Sequence, residues 1–249
     1  MKKILYICGS PRSSSPRGGS PRGESGSNSA QILKDLGQYL TEEGLQEDAV
    51  SIHTLSRSIP DDPSEVLKKL DDCEVWILAL PLYVDALPGH LSWWLSRYQE
   101  YRASNNDKKD IRVYGIVNCG FPEAIQNRDA LKILELFCLK SGLIWRFGIG
   151  LGMGEPYKQM AGMPLRSRGK RQVFEAFQTL AADLKNSSGG VLENAYVAVK
   201  FPKWLYRVMG SMGWIMSGRK NGLKRKDLYA RPLLTTLTTG ESSRAGIKF

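Results

Sequence analysis

Three short segments of this sequence carry residue types that bind ligands, and each one follows an apolar run. The first, Gly9–Ser29, is rich in Ser, Gly, Pro and Arg and almost free of apolar side chains. It opens as Gly9-Ser10-Pro11-Arg12 and closes as Ser25-Gly26-Ser27-Asn28-Ser29. Hydroxyls, an Arg and the open amides of a helix start are the groups that receive a phosphate monoester. Between the two ends, Ser-Pro-Arg recurs as Ser10–Arg12, Ser15–Arg17 and Ser20–Arg22, which reads as a surface excursion. Neither a dinucleotide fingerprint nor a P-loop is present. Taken alone, the pattern also suits a plain linker with a Ser cap.

The second segment is Pro81-Leu82-Tyr83-Val84. It offers flat apolar contact together with backbone hydrogen bonds, as a planar ring system requires. The competing reading is a turn in which Tyr83 only caps the core. The third, Asn118-Cys119-Gly120-Phe121, places a glycine where backbone can approach a ligand and an amide that can bond a polar ring edge. Cys119 has no base or resolving cysteine near it in sequence, so a redox role is not expected. Further on, Gly148–Gly154 alternates glycine with apolar residues. It follows the last strand rather than the first, so close backbone packing is preferred there over a part in shaping a pocket rim.

The elements that must position these segments follow from periodicity. Lys3–Cys8, Val50–Leu55, Glu74–Leu80, Ile111–Asn118 and Leu143–Gly150 read as buried strands. Asn28–Glu43, Pro63–Leu70, Pro88–Tyr101, Arg128–Ser141 and Lys170–Lys185 carry helical spacing, with Ser27 or Asn28 as a cap and Gly142 as a stop. Strands alternating with helices predict an α/β fold with a doubly wound, five-stranded parallel sheet. Such sheets bind ligands beyond the carboxyl ends of their strands, which is where all three segments fall.

With these residues in place, residues 1–185 resemble the NADPH-dependent FMN reductases, NAD(P)H-dependent oxidoreductases among the flavodoxin-like flavoproteins. The likeness lies in Gly9-Ser10-Pro11-Arg12, the serine-rich helix start, and Pro81-Leu82-Tyr83 with Pro88 downstream. It implies a flavodoxin-like sheet and non-covalent FMN. The phosphate would lie on Ser10, Arg12, Ser27, Asn28 and Ser29. The ring would lie along Pro81, Leu82, Tyr83 and Val84, with Asn118, Cys119, Gly120 and Phe121 beside it. The Ser-Pro-Arg repeats depart from the shorter loops of that family, and Arg12 is taken as the phosphate ligand. Hydride would pass from NAD(P)H through the flavin to a small acceptor such as a quinone or a nitro or azo compound. No side chain is assigned a catalytic role, although Glu123 and His90 are candidates for proton delivery. A flavin electron carrier without nicotinamide activity of its own is the alternative, and a non-redox scaffold is a third reading. A homodimer is expected.

Charge separates this region from the rest of the chain. The formal net charge is +10, from 35 Lys and Arg against 25 Asp and Glu. Residues 1–185 hold 24 against 22, whereas residues 186–249 hold 11 against 3. Residues 186–249 thus read as a basic, partly amphipathic helical extension, with Phe201–Ser217 as its helix and Arg219–Lys226 as its cationic run. Docking on the core or across a dimer is its first reading, and peripheral membrane contact its second. Nucleic-acid binding is not expected, because no stacking aromatics lie within the basic run. No run reaches the ~20 apolar residues of a membrane span, and the short N-terminal apolar run reads as a strand rather than a signal peptide. Four cysteines without metal-ligand spacing, and only two histidines, argue against a metal centre and for a reducing cytoplasm.

Overall fold

Each of the predicted apolar runs becomes a strand of one parallel sheet. The computed structural model describes residues 2–12, 26–46, 51–55, 60–105, 109–186, 190 and 192–230. Its strands are β1 (Ile4–Cys8), β2 (Ile52–Thr54), β3 (Val75–Pro81), β4 (Arg112–Asn118), β5 (Ile144–Gly152) and β6 (Ala195–Ala198). The helices are α1 (Asn28–Glu42), α2 (Ser64–Asp71), α3 (Gly89–Ser104), α4 (Arg128–Ser141), α5 (Gly154–Gln159), α6 (Arg171–Lys185) and α7 (Lys203–Lys220). The chain divides into two compact units, Met1–Lys200 and Phe201–Phe249.

The sheet order is β2-β1-β3-β4-β5-β6, and every pairing is parallel. The first five strands follow the flavodoxin-like order. The expected count of five strands is corrected to six. Ala195–Ala198 pairs with the end of β5, beyond the predicted boundary at residue 185 and within the first unit. A four-residue Ala-Tyr-Val-Ala run is too short to show a period of its own.

Alternation along β3 shows why both faces are covered. Trp76, Leu78 and Leu80 join a core with Trp94 and Tyr98 of α3 and Leu131 and Leu134 of α4. The intervening Val75, Ile77 and Ala79 are equally buried on the opposite face, where α1 packs. A strand buried on both faces can be apolar throughout, as this one is. Two buried ion networks fix helices to this frame. Arg146 of β5 grips Asp183 of α6 through two nitrogens, at 2.6 and 2.9 Å, while the Tyr114 hydroxyl donates to the same carboxylate at 2.7 Å. Arg102 of α3 donates to Asp71 and to the carbonyls of Ser141 and Gly142, where Gly142 ends α4 at φ 64°. Among the described residues, no helix is long and apolar enough to cross a membrane.

Candidate functional site

The chain leaves β1 for β2 on one side and returns to β3 on the other, so the loops that follow β1 and β3 diverge around a crevice. A cavity of ≈ 260 Å³ lies there. Ser10 and Arg12 reach it from the end of β1, and Ser27, Asn28 and Ser29 from the start of α1. Pro81, Leu82 and Tyr83 follow from β3, then Asn118, Cys119 and Gly120 from β4, and Glu155 from α5. Three loops separated by dozens of residues thus share one cleft.

The wall beside α1 is built from a helix start. Ser27 is extended (φ −67°, ψ 160°), and its Oγ accepts from the Ala30 amide at 3.1 Å. Such a cap contributes about 1 kcal/mol. Asn28 and Ser29 follow in the first turn, whose amides have no acceptor four residues earlier. That geometry, with the positive end of the helix dipole, favours an anion. Ser10 is buried, and its Oγ accepts from the Arg12 amide at 3.4 Å, folding the chain back as it leaves β1. Arg12 and Glu155 are the only charged residues lining this cleft among the described residues. The second and third Ser-Pro-Arg copies, Ser15–Arg17 and Ser20–Arg22, lie outside the described residues.

The opposite wall is apolar and bent. Leu82 donates its amide to the Asn118 carbonyl at 2.8 Å, which continues the sheet one residue beyond β3. Tyr83 and Ala86 then exchange two backbone hydrogen bonds at 3.0 Å, closing a turn over Val84 and Asp85. Both central residues lie in the left-handed region, at φ 48° and 58°. That conformation suits glycine or asparagine and is costly for β-branched Val84, by about 1–3 kcal/mol.

Asn118 joins the two walls. Its Nδ2 donates to the Leu80 carbonyl and to Ser29 Oγ, both at 2.8 Å, and the side chain is buried. Asn118, or the amides near it, was expected to offer a hydrogen bond to a polar ring edge, and Asn118 does line the cleft. Its nitrogen also acts as a clamp between β3, β4 and α1. Cys119 is buried beside it, and burial pushes its thiol pKa up, which disfavours the thiolate that a redox role would need.

The glycine alternation, which lies within β5 and runs just past its end, acts through close approach. A Cβ on Gly148 would meet Leu131 at 2.5 Å, and one on Gly152 would meet the Phe121 and Pro122 carbonyl oxygens at 2.9 Å. Met153 then turns the chain at φ 56°, and its amide and that of Gly154 donate to Phe121 and Cys119 carbonyls at 2.8 Å. This brings α5 against the cleft. The helix is secured from behind: the buried Tyr157 hydroxyl donates to Asp35 of α1 at 2.6 Å, and buried Lys170 reaches the same oxygen at 3.2 Å.

Eleven of the thirteen predicted site residues line the cavity; Val84 and Phe121 do not. Val84 is 97% exposed at the tip of its turn, and Phe121 is 56% exposed. Glu123 and His90 are likewise absent from the lining, where the carboxylate is Glu155 instead. Its signal was Gly154-Glu155-Pro156, because Pro and an acid in the first turn mark a helix start. A larger cavity of ≈ 400 Å³ runs along the second half of α1, past Asp35, Tyr39 and Glu42 to Arg166 and Phe174. It shares no residue with the strand-end cleft.

No protein-family model and no curated protein matches this chain. Among solved structures, general stress protein 14 of Treponema denticola, in complex with FMN, is 16% identical with a TM-score of 0.47. That match covers 73% of this chain and 99% of the other. The NAD(P)H:quinone oxidoreductase of Methanothermobacter marburgensis is 14% identical over 76% of this chain and 98% of its own, with a TM-score of 0.48. An NADPH-quinone reductase from P. pentosaceus is 13% identical over 73% and 98% respectively, with a TM-score of 0.46.

Proposed function

We propose that the strand-end cleft holds FMN non-covalently and that the chain is an NAD(P)H-dependent oxidoreductase acting on a small electron acceptor. One observation carries this reading: the three predicted loops converge on a single cleft at the switch point, with a phosphate-type wall and an apolar wall facing each other. The residues present fit the group. Arg12, Ser10 and the α1 amides suit a doubly charged phosphate, and Pro81, Leu82 and Tyr83 suit a flat ring. FMN, when bound, supplies the hydride-accepting ring that no side chain of the chain can provide.

What the chain itself does is bind, orient and shield. The α1 start and Arg12 anchor one end of the ligand. Asn118 keeps that anchor at a fixed spacing from the Pro81–Tyr83 wall through its bonds to Ser29 and Leu80. Glu155, on a helix braced by Asp35, Tyr157 and Lys170, puts a carboxylate at the cleft. Four buried cysteines, none in a disulfide, suit a reducing compartment.

The test is titration of the purified full chain with FMN and with riboflavin, followed by anaerobic addition of NADH or NADPH. FMN is expected to bind at least tenfold more tightly than riboflavin, because only FMN presents a phosphate to Arg12 and the α1 start. Arg12→Gln should narrow that difference. Saturable loss of flavin absorbance with one nicotinamide cofactor is expected next. Failure to bind FMN defeats the cofactor assignment. Binding with slow, non-saturating reduction by both cofactors would replace the enzyme with a carrier.

A further inference from the structure

The C-terminal unit has a chemistry that the flavin site does not use. In α7, Leu205, Val208, Met209, Met212, Ile215 and Met216 recur at helical spacing and share one side of the helix. Val208, Met209, Met212 and Met216 are exposed, so the described residues of their own unit leave them uncovered. The following 3-10 turn, Arg225–Tyr229, covers only the end of the helix, where Leu228 sits on Gly218. Trp204, Trp214 and Tyr229 are each about 70% exposed, at 69%, 70% and 71%.

Charge along α7 and the turn after it is strongly basic. From Lys200 to Lys226 the chain carries eight Lys and Arg and no Asp or Glu. Five of them, Arg219, Lys220, Lys224, Arg225 and Lys226, fall at or just beyond the end of α7 and are exposed. The next acid along the chain, Asp227, is turned back on it and accepts from the Lys224 amide at 2.7 Å. An apolar helix side, interfacial aromatics and a cationic cluster together match a lipid surface bearing negative charge. The helix is not apolar enough to cross a bilayer, so it would lie on one. A second copy fits less well, since it would bring a surface of the same sign against this one.

We propose that the C-terminal unit attaches the protein to the surface of an anionic bilayer. The apolar side of α7 enters the headgroup boundary, while Arg219–Lys226 engages the lipid charge. Flavin binding plays no part in this attachment, so its failure would leave the proposed function standing.

The experiment is co-sedimentation of the full chain with vesicles of phosphatidylcholine alone or with about 30% phosphatidylserine. The wild type should bind the anionic vesicles at least tenfold more tightly, with binding weakened by salt. Replacing Lys224, Arg225 and Lys226 together by Gln should weaken it on the order of a hundredfold. Met212→Glu with Met216→Glu should weaken it at least tenfold with every cation retained. Quenching of tryptophan emission by brominated lipid, expected for the wild type, reports insertion without any variant. Absence of sedimentation with anionic vesicles overturns the proposal. So does sedimentation without tryptophan quenching, which would mark a polyanion site that nucleic acid could equally fill. A lipid-free dimer that dissociates on the Met substitutions also overturns it and gives the helix to a second copy.

Discussion

The two walls of the strand-end cleft are made in opposite ways. On the α1 side every conformation is ordinary: an extended Ser cap, a regular helix and hydroxyls at normal hydrogen-bond distance. On the β3 side the chain is forced through two left-handed residues that are not glycine. The first wall derives its form from local rules and would arise at any well-capped helix in this position. The second depends on the surrounding frame to hold a conformation that its residues resist. The difference shows where the protein invests its tertiary structure: in placing the apolar wall and in holding the two walls at a fixed distance.

The largest expected effect comes from removing the space that lets the frame close. Gly152 lies against two backbone carbonyl oxygens that cannot move aside without shifting the Phe121–Ala124 segment. Gly152→Val should cost on the order of 3 kcal/mol in denaturant unfolding and abolish tight FMN binding. Unchanged stability would mean that the wall is not held by this contact. Next is the clamp. Asn118→Leu keeps the branched outline but strands the Leu80 carbonyl and Ser29 hydroxyl in a buried site. Loss of about 2 kcal/mol is expected, with FMN affinity falling at least tenfold. If stability falls but affinity does not, the spacing of the walls is set by something other than Asn118.

Legibility in the sequence followed the same division. The α1 wall was readable because capping is local: Ser27 and the spacing of Ile32, Leu33, Leu36 and Leu40 lie within fourteen residues of one another. β3 and β4 were readable because burial on both faces leaves an apolar run. Less was visible where a residue's role depends on distant partners. Asn118 could be placed at the site, but Ser29, its partner, lies 89 residues away, so its role as a clamp could not be read. Glu155 was passed over because α5 has six residues and follows a glycine-rich strand end, too short for a helical period. β6 was hidden for a similar reason, beyond the Ser-Gly run at 187–190.

The smallest expected effect tests the apolar wall directly. Val84 is almost fully exposed, so its side chain contributes no packing, yet it holds φ 48°. The native turn therefore persists in spite of Val84, because the Tyr83–Ala86 hydrogen bonds and the strand before them fix its ends. Asparagine tolerates the left-handed region, so Val84→Asn should raise stability by about 1 kcal/mol. FMN affinity should stay within about threefold of wild type, a free-energy change below about 0.7 kcal/mol, since Val84 does not line the cleft. A gain in stability with a large loss of affinity would show something different. The strained turn would then be one the ligand needs, and a relaxed one would no longer carry Tyr83 to the ring.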